Sequence, residues 1–167
     1  DAKIVNCNNK ADITAQGGQA GGLAGYASSA QIESDTSISN TGAVTGTANV
    51  GGLVGQASGG MKVIVHEGIL NSGAITAKSS GYVGGLIGYA DLASIQADAD
   101  IINTGKISSM GSNTSMGAGG LIGYGIDISI ISVCPCVCST ISRCSNAQRA
   151  NSANTLPSSY ATPGPKV

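Results

Sequence analysis

Apolar residues in this chain come in short runs that alternate with polar ones, and the same runs return at a near-constant interval. Leu23, Leu53, Leu86 and Leu121 form one recurring position, followed at once by Ala24, Val54, Ile87 and Ile122. A second set, Ile4, Ile38, Ile69 and Ile101, lies two residues before an asparagine, and Val44, Ile75 and Ile107 lie four residues after it. Spacings of two and four place such side chains on one face of a strand. A third set, Ile32, Ile95 and Ile130, stands ten residues past a glycine, with Met61 and Val63 bracketing that slot in the second repeat. The runs are separated by Gly, Asn, Ser and Asp, the residues of turns. The pattern predicts roughly three short β-strands per repeat and no helix.

Two motifs carry the repeat. GGLxG occurs at 21–25, 51–55, 84–88 and 119–123, and its second glycines (Gly22, Gly52, Gly85, Gly120) are 30, 33 and 35 residues apart. Asn-x-Gly follows 18 or 19 residues later, at Asn40, Asn71 and Asn103. The opening segment fits the same frame with Asn6 in the asparagine slot, Asn8 in the glycine slot, and an insertion around Lys10 that delays the next apolar residue to Ile13. Asparagine is the non-glycine residue that best tolerates a left-handed backbone, so this slot is expected to need positive φ. The glycines of GGLxG read as sites of close backbone passage within one strand rather than as a phosphate cradle.

A period of this length signals units that bury their apolar faces on one another. The expected fold is an all-β, single-domain β-solenoid of four to five coils over residues 1–133. Its coils are spaced by about 4.8 Å and wind right-handed, the usual sense of a parallel crossover. Leucines and isoleucines then stack into aliphatic ladders, and the asparagines into an amide ladder. Leu points inward, so Tyr26, Gln56, Tyr89 and Tyr124, three residues later, form an outward row. The apolar column directly after Leu implies that both faces of that strand are covered.

Across residues 4–125 the chain resembles the GLUG-motif repeats, named for G-L-any-G, which occur in tandem in secreted and cell-surface proteins of bacteria and some protists. The resemblance implies a surface location and a repetitive scaffold. It carries no catalytic residues.

Composition narrows the function. Charged residues are 10% of the 167, net charge is −1, and Trp and Phe are absent. No basic run is present, which argues against nucleic acid or an anionic membrane as partner. The most membrane-like stretch, Leu121–Cys138, carries Asp127 and alternates like a strand. The chain starts at Asp1, which is read as a removed leader or a fragment. Low charge also means little self-repulsion, which favours association.

After the repeats the pattern changes. Residues 134–145 form a cysteine-rich cap and 146–167 an extended tail rich in Ser, Ala and Pro. Cys134, Cys136, Cys138 and Cys144 lack the paired C-x2-C spacing of common zinc sites and read as disulfide candidates in an oxidising compartment. Cys7 is the fifth and odd one, either buried and unpaired or bonded to a C-terminal cysteine of the next molecule. Asn113 heads the one glycosylation sequon, Asn113-Thr114-Ser115.

Candidate chemistry is sparse. His66, the single histidine, stands beside Glu67 and is assigned to a surface turn; Asp91, Asp98 and Asp100 match no calcium loop. No catalytic residue, metal ligand or cofactor is assigned. The leading expectation is an extracellular structural protein, not an enzyme, that stacks head to tail through its solenoid ends into a filament or surface layer. The alternative is an adhesin module that binds carbohydrate or a host surface through the tyrosine row. A lesser one is ice binding, set low because Thr45 and Thr47 do not recur in matching slots.

Overall fold

The computed structural model describes residues 2–110 and 117–132. Among them the chain is all-β, with no helix and so none long and apolar enough to cross a membrane. It is a β-solenoid of about four turns. Every sheet is parallel, and each strand pairs with its counterparts one coil before and one coil after.

Each coil holds five short strands, not three. Sheet I stacks Lys3–Val5, Gln31–Ser34, Lys62–Val65, Ser94–Ala97 and Ser129–Ser132. Sheet II stacks Ile38–Asn40, Ile69–Asn71 and Ile101–Asn103, and Asn9 bridges onto Asn40. Sheet III stacks Ile13–Thr14, Val44–Gly46, Ile75–Ala77 and Ile107–Ser109. Sheet IV stacks Ala20–Gly21, Val50–Gly51, Val83–Gly84 and Ala118–Gly119; sheet V stacks Ala24–Ser28, Val54–Ser58, Ile87–Asp91 and Ile122–Ile126. The extra strands arise because both motifs are corners. GGLxG does not lie on one strand: it joins sheet IV to sheet V, and the chain turns at its second glycine and leucine.

That corner explains why two adjacent apolar columns are both buried. Leu53 and Val54 are each fully buried in the same cluster, as are Leu86 and Ile87. A straight strand would send them to opposite faces; the bend sends both inward, so no neighbour is needed to cover an outer face. This larger core lies among sheets I, II and V, and includes Ile32, Ile38, Met61, Val63 and Ile95. In the second repeat Val63, not Met61, is the register partner of Ile32 and Ile95, while Met61 fills the core one position earlier. A smaller core, with Ala20, Val44, Val50, Ile75 and Val83, lies between sheets III and IV.

The two cores are separated by a polar waist. Asn9 Nδ2 donates to Asn40 Oδ1 (2.7 Å), Asn40 Nδ2 to Asn71 Oδ1 (2.7 Å), and Asn71 Nδ2 to Asn103 Oδ1 (2.6 Å). Each amide also donates to the carbonyl two residues on, at Ala11, Gly42, Gly73 and Gly105. Asn40 and Asn71 thus use both amide hydrogens, which is what their burial demands. The second glycine of GGLxG packs against this ladder: a Cβ on Gly22 would sit 2.7 Å from Asn40 Oδ1, and one on Gly52 2.7 Å from Asn71 Cγ. The two motifs are thus opposite sides of one narrow passage.

The first coil is framed differently from the expectation. Asn9, not Asn6, begins the amide ladder, and Ala11, not Asn8, takes the glycine slot. Ile13 then pairs directly with Val44, so there is no insertion. Ile4 pairs with Ile32 in sheet I rather than joining the Ile38 column. The glycine slot needs closeness, not a left-handed backbone: a Cβ on Gly73 would overlap the Gly42 carbonyl and lie 3.0 Å from Asn40 Nδ2. Positive φ appears elsewhere, at Asn6 (52°) and in the corner between sheets V and I. There Ser29 (50°), Gly59 (62°), Leu92 (52°) and Asp127 (50°) occupy equivalent positions, each following a paired residue of sheet V.

Candidate functional site

Four surface features carry side chains with chemistry to offer, and each is set by one column of the coil.

The tyrosine column is in register: Tyr26 with Gln56, Gln56 with Tyr89, Tyr89 with Tyr124. It is not a row of separate exposed rings. Tyr82, which the repeat pattern did not mark, packs against both Tyr89 and Tyr124. Its ring centroid is 4.5 Å from that of Tyr124 and 5.7 Å from that of Tyr89, and Tyr89 stacks on Tyr124 at 5.6 Å. Burial within this stack, with Asp91 nearby as a second cause, raises the Tyr89 phenol above its ordinary value. Tyr26 stands apart at 55% exposure, its hydroxyl 2.9 Å from Ser58 Oγ. Between them Gln56 Oε1 accepts from Gln19 Nε2 (2.9 Å) and Asn49 Nδ2 (3.1 Å). The rings therefore spend much of their faces on one another, and faces are what a sugar ring stacks on.

Thr45, unlike Thr47, does recur in matching slots. Thr14, Thr45 and Thr76 are register partners in sheet III, and Ser108 continues the column. Their neighbours Val44 and Ile75 point into the core, so the hydroxyls face outward by alternation. The signal was present in the sequence as the residue directly after Ile13, Val44 and Ile75.

The corner from sheet I to sheet II gathers charge. His66 does lie in an exposed turn. Its Nδ1–H donates to Asp98 Oδ2 at 3.0 Å, and one ligand atom each from Glu33, Asp35 and His66 lies within 4.8 Å of the others. Glu33 Oε2 accepts from Lys3 Nζ (2.6 Å) and Gln31 Nε2 (2.6 Å). The Lys3 hydrogen bond holds the Glu33 carboxyl below the usual glutamate value, and the same bond raises the Lys3 ammonium. Sequence spacing hid this group because its members come from different coils. Asp98 thus belongs to this corner and Asp91 to another; Asp100 joins Glu67, Leu70 and Ile102 around a shallow open groove.

The last feature is the terminal coil. Ile130 is 47% exposed, although its register partner Ile95 is 1% exposed. Asn103 has no described partner for its second amide hydrogen, and a Cβ on Gly120 would meet nothing within 4 Å. At the other end Cys7 is exposed, with Sγ 3.3 Å from the Val5 carbonyl, so it is not a buried core thiol. Cys134, Cys136, Cys138, Cys144, the sequon at Asn113, and the proposed cap and tail lie outside the described residues. No family model, curated protein or solved structure matches the chain.

Proposed function

We propose that the chain is an extracellular structural repeat protein that assembles head to tail through the ends of its solenoid. The observation that carries this reading is Gly120. Gly22, Gly52 and Gly85 are glycines because the next coil passes too close for a Cβ. Gly120 holds the same position in the last described coil, where a Cβ would meet no described atom within 4 Å. A second copy stacked on this coil would supply the missing constraint. It would also cover Ile130 and offer Asn9 Oδ1 to the amide hydrogen of Asn103 that has no described partner, extending a ladder whose donors all point the same way. That polarity favours head-to-tail over head-to-head contact. Parallel edges with unpaired backbone groups bind strands readily, and repeated heterologous contact gives an open filament. The GLUG resemblance and the low charge agree with a surface assembly.

Electron microscopy and sedimentation of the purified protein test this. Wild type is expected to form uniform filaments; Gly120→Ala is expected to keep its thermal stability and lose them. Monodisperse wild type at high concentration overturns the reading. So does a Gly120→Ala variant that unfolds as a monomer, because the chain's own following residues would then occupy that coil.

The Thr14–Thr45–Thr76 column gives a second reading, ice binding, which thermal hysteresis measures. It is weaker because the column is one residue wide. Carbohydrate adhesion through Tyr26, Gln56, Tyr89 and Tyr124 is weaker again, since the stacked rings offer edges more than faces.

A further inference from the structure

We infer that the corner formed by Glu33, Asp35 and His66 is a binding site for a first-row divalent transition cation, zinc being the type case. The coil builds the site in two steps. Glu33 lies in the strand Gln31–Ser34 and points outward between buried Ile32 and Ser34, and Asp35 follows in the exposed bend at that strand's end. Ser34 between them points inward, is fully buried, and pairs with Val65, so His66 follows Val65 one coil above Asp35. The imidazole is thereby set over the two carboxylates, and one ligand atom from each lies within 4.8 Å of the others.

Each residue keeps a coordinating atom in reserve. Lys3 and Gln31 both bind Oε2 of Glu33, leaving Oε1. Asp35 makes no hydrogen bond or ion pair to a described residue. His66 uses Nδ1 on Asp98, which fixes the tautomer and leaves the Nε2 lone pair. A ligating histidine held through its other nitrogen by a carboxylate is the usual support of a metal-bound imidazole. One imidazole with two carboxylates suits zinc and its neighbours; calcium takes an all-oxygen shell. All three ligands are at least partly exposed, so small rotamer changes bring them to the roughly 2.1 Å that zinc requires. The cation would clamp two adjacent coils together at their corner.

The chain has one histidine, so its imidazole is a private reporter. Zinc taken up at a cysteine thiolate instead would be read apart from that signal. The experiment follows the His66 ring nitrogens by NMR during titration of the full chain with Zn2+ alone and with Ca2+ alone. Zn2+ is expected to shift the signal and saturate near one equivalent at the site, and Ca2+ to leave it in place. Glu33→Gln and Asp35→Asn are each expected to weaken binding by about 10-fold or more without changing the metal-free spectrum beyond the substituted strand. Asp98→Asn, at a positioning residue, is expected to weaken it and to alter the tautomer signature. An unmoved signal at about 1 mM Zn2+, equal affinity in the Glu33→Gln and Asp35→Asn variants, or a response to Ca2+ alone overturns the assignment.

Discussion

The inner coils and the last described coil are written in the same motif but live in different environments. Ile32, Val63 and Ile95 are 0–1% exposed, while Ile130 in the same column is 47% exposed. Gly52 is hemmed in by Gly85 and Asn71; a Cβ on Gly120 would meet no described atom within 4 Å. Asn71 accepts from the coil below, donates to the coil above and donates once within its own coil, whereas Asn103 accepts from below and, among the described residues, donates only within its own coil. In a solenoid, burial is a property of having a coil on each side, not of the residue. The same letter is therefore worth several kcal/mol inside and little at an end.

Paired substitutions break or sharpen this contrast. Gly52→Ala drives a Cβ into the Gly85 carbonyl and the Asn71 amide, and should cost about 4–5 kcal/mol or prevent folding; Gly120→Ala should change monomer stability by less than about 0.5 kcal/mol. Asn71→Ala strands the Asn40 amide, the Gly73 carbonyl and the Asn103 oxygen, for roughly 3–5 kcal/mol. Asn103→Ala should cost about 1–2 kcal/mol. Urea denaturation of the four variants measures both pairs, and equal losses within a pair would sink the contrast. Ile95→Ala should cost about 2–4 kcal/mol and Ile130→Ala under about 1 kcal/mol on the same assay.

Leu92 is an inner-coil residue that the contrast does not protect. It is 55% exposed and left-handed at φ 52°, a backbone that costs a branched residue roughly 1–2 kcal/mol. Leu92→Asn should raise stability by about 0.5–1 kcal/mol, read as a higher melting temperature. A drop would show that the leucine packs more than it strains.

The smallest effect concerns Lys3 and Glu33, which tie the first strand to the next coil. Glu33 titrates below its unfolded value, so its contribution is full above the ordinary glutamate range and is lost as pH falls through the lowered value. Lys3 titrates above its unfolded value, so its contribution is full below the ordinary lysine range and is lost as pH rises through the raised value. Amide exchange at residues 3–5 should therefore be slowest in the wide middle range and accelerate at both extremes. Because the pair is exposed, about 0.5 M salt should erase much of the difference. A Lys3→Ala variant with the same profile would remove the pair from the account.

Much of the fold was legible. Repeating columns of Leu, Ile and Gly specify coils because parallel stacking puts like residues on like, and the absence of Phe and Trp fits thin aliphatic layers. The asparagine ladder was legible for the same reason at Asn40, Asn71 and Asn103. The first coil was misread because Asn6 and Asn9 both offer an amide at a plausible distance from the first GGLxG. Register decides between them: Ile13 meets Val44 only from Asn9.

What the sequence determined alone is therefore the periodic part of the molecule: the all-β class, the coil length, and which apolar residues share a column. Tertiary structure decided everything that depends on where the chain bends. It split three expected strands into five, sent both Leu53 and Val54 inward, put Tyr82 into the tyrosine stack, aligned Thr14 with Thr45 and Thr76, and raised His66 above Glu33 and Asp35. The physical reason is that a period fixes distances along the solenoid axis, while contacts around the coil are set by corners. Those corners depend on close passages and on left-handed residues such as Leu92, which leave little trace in hydrophobic pattern.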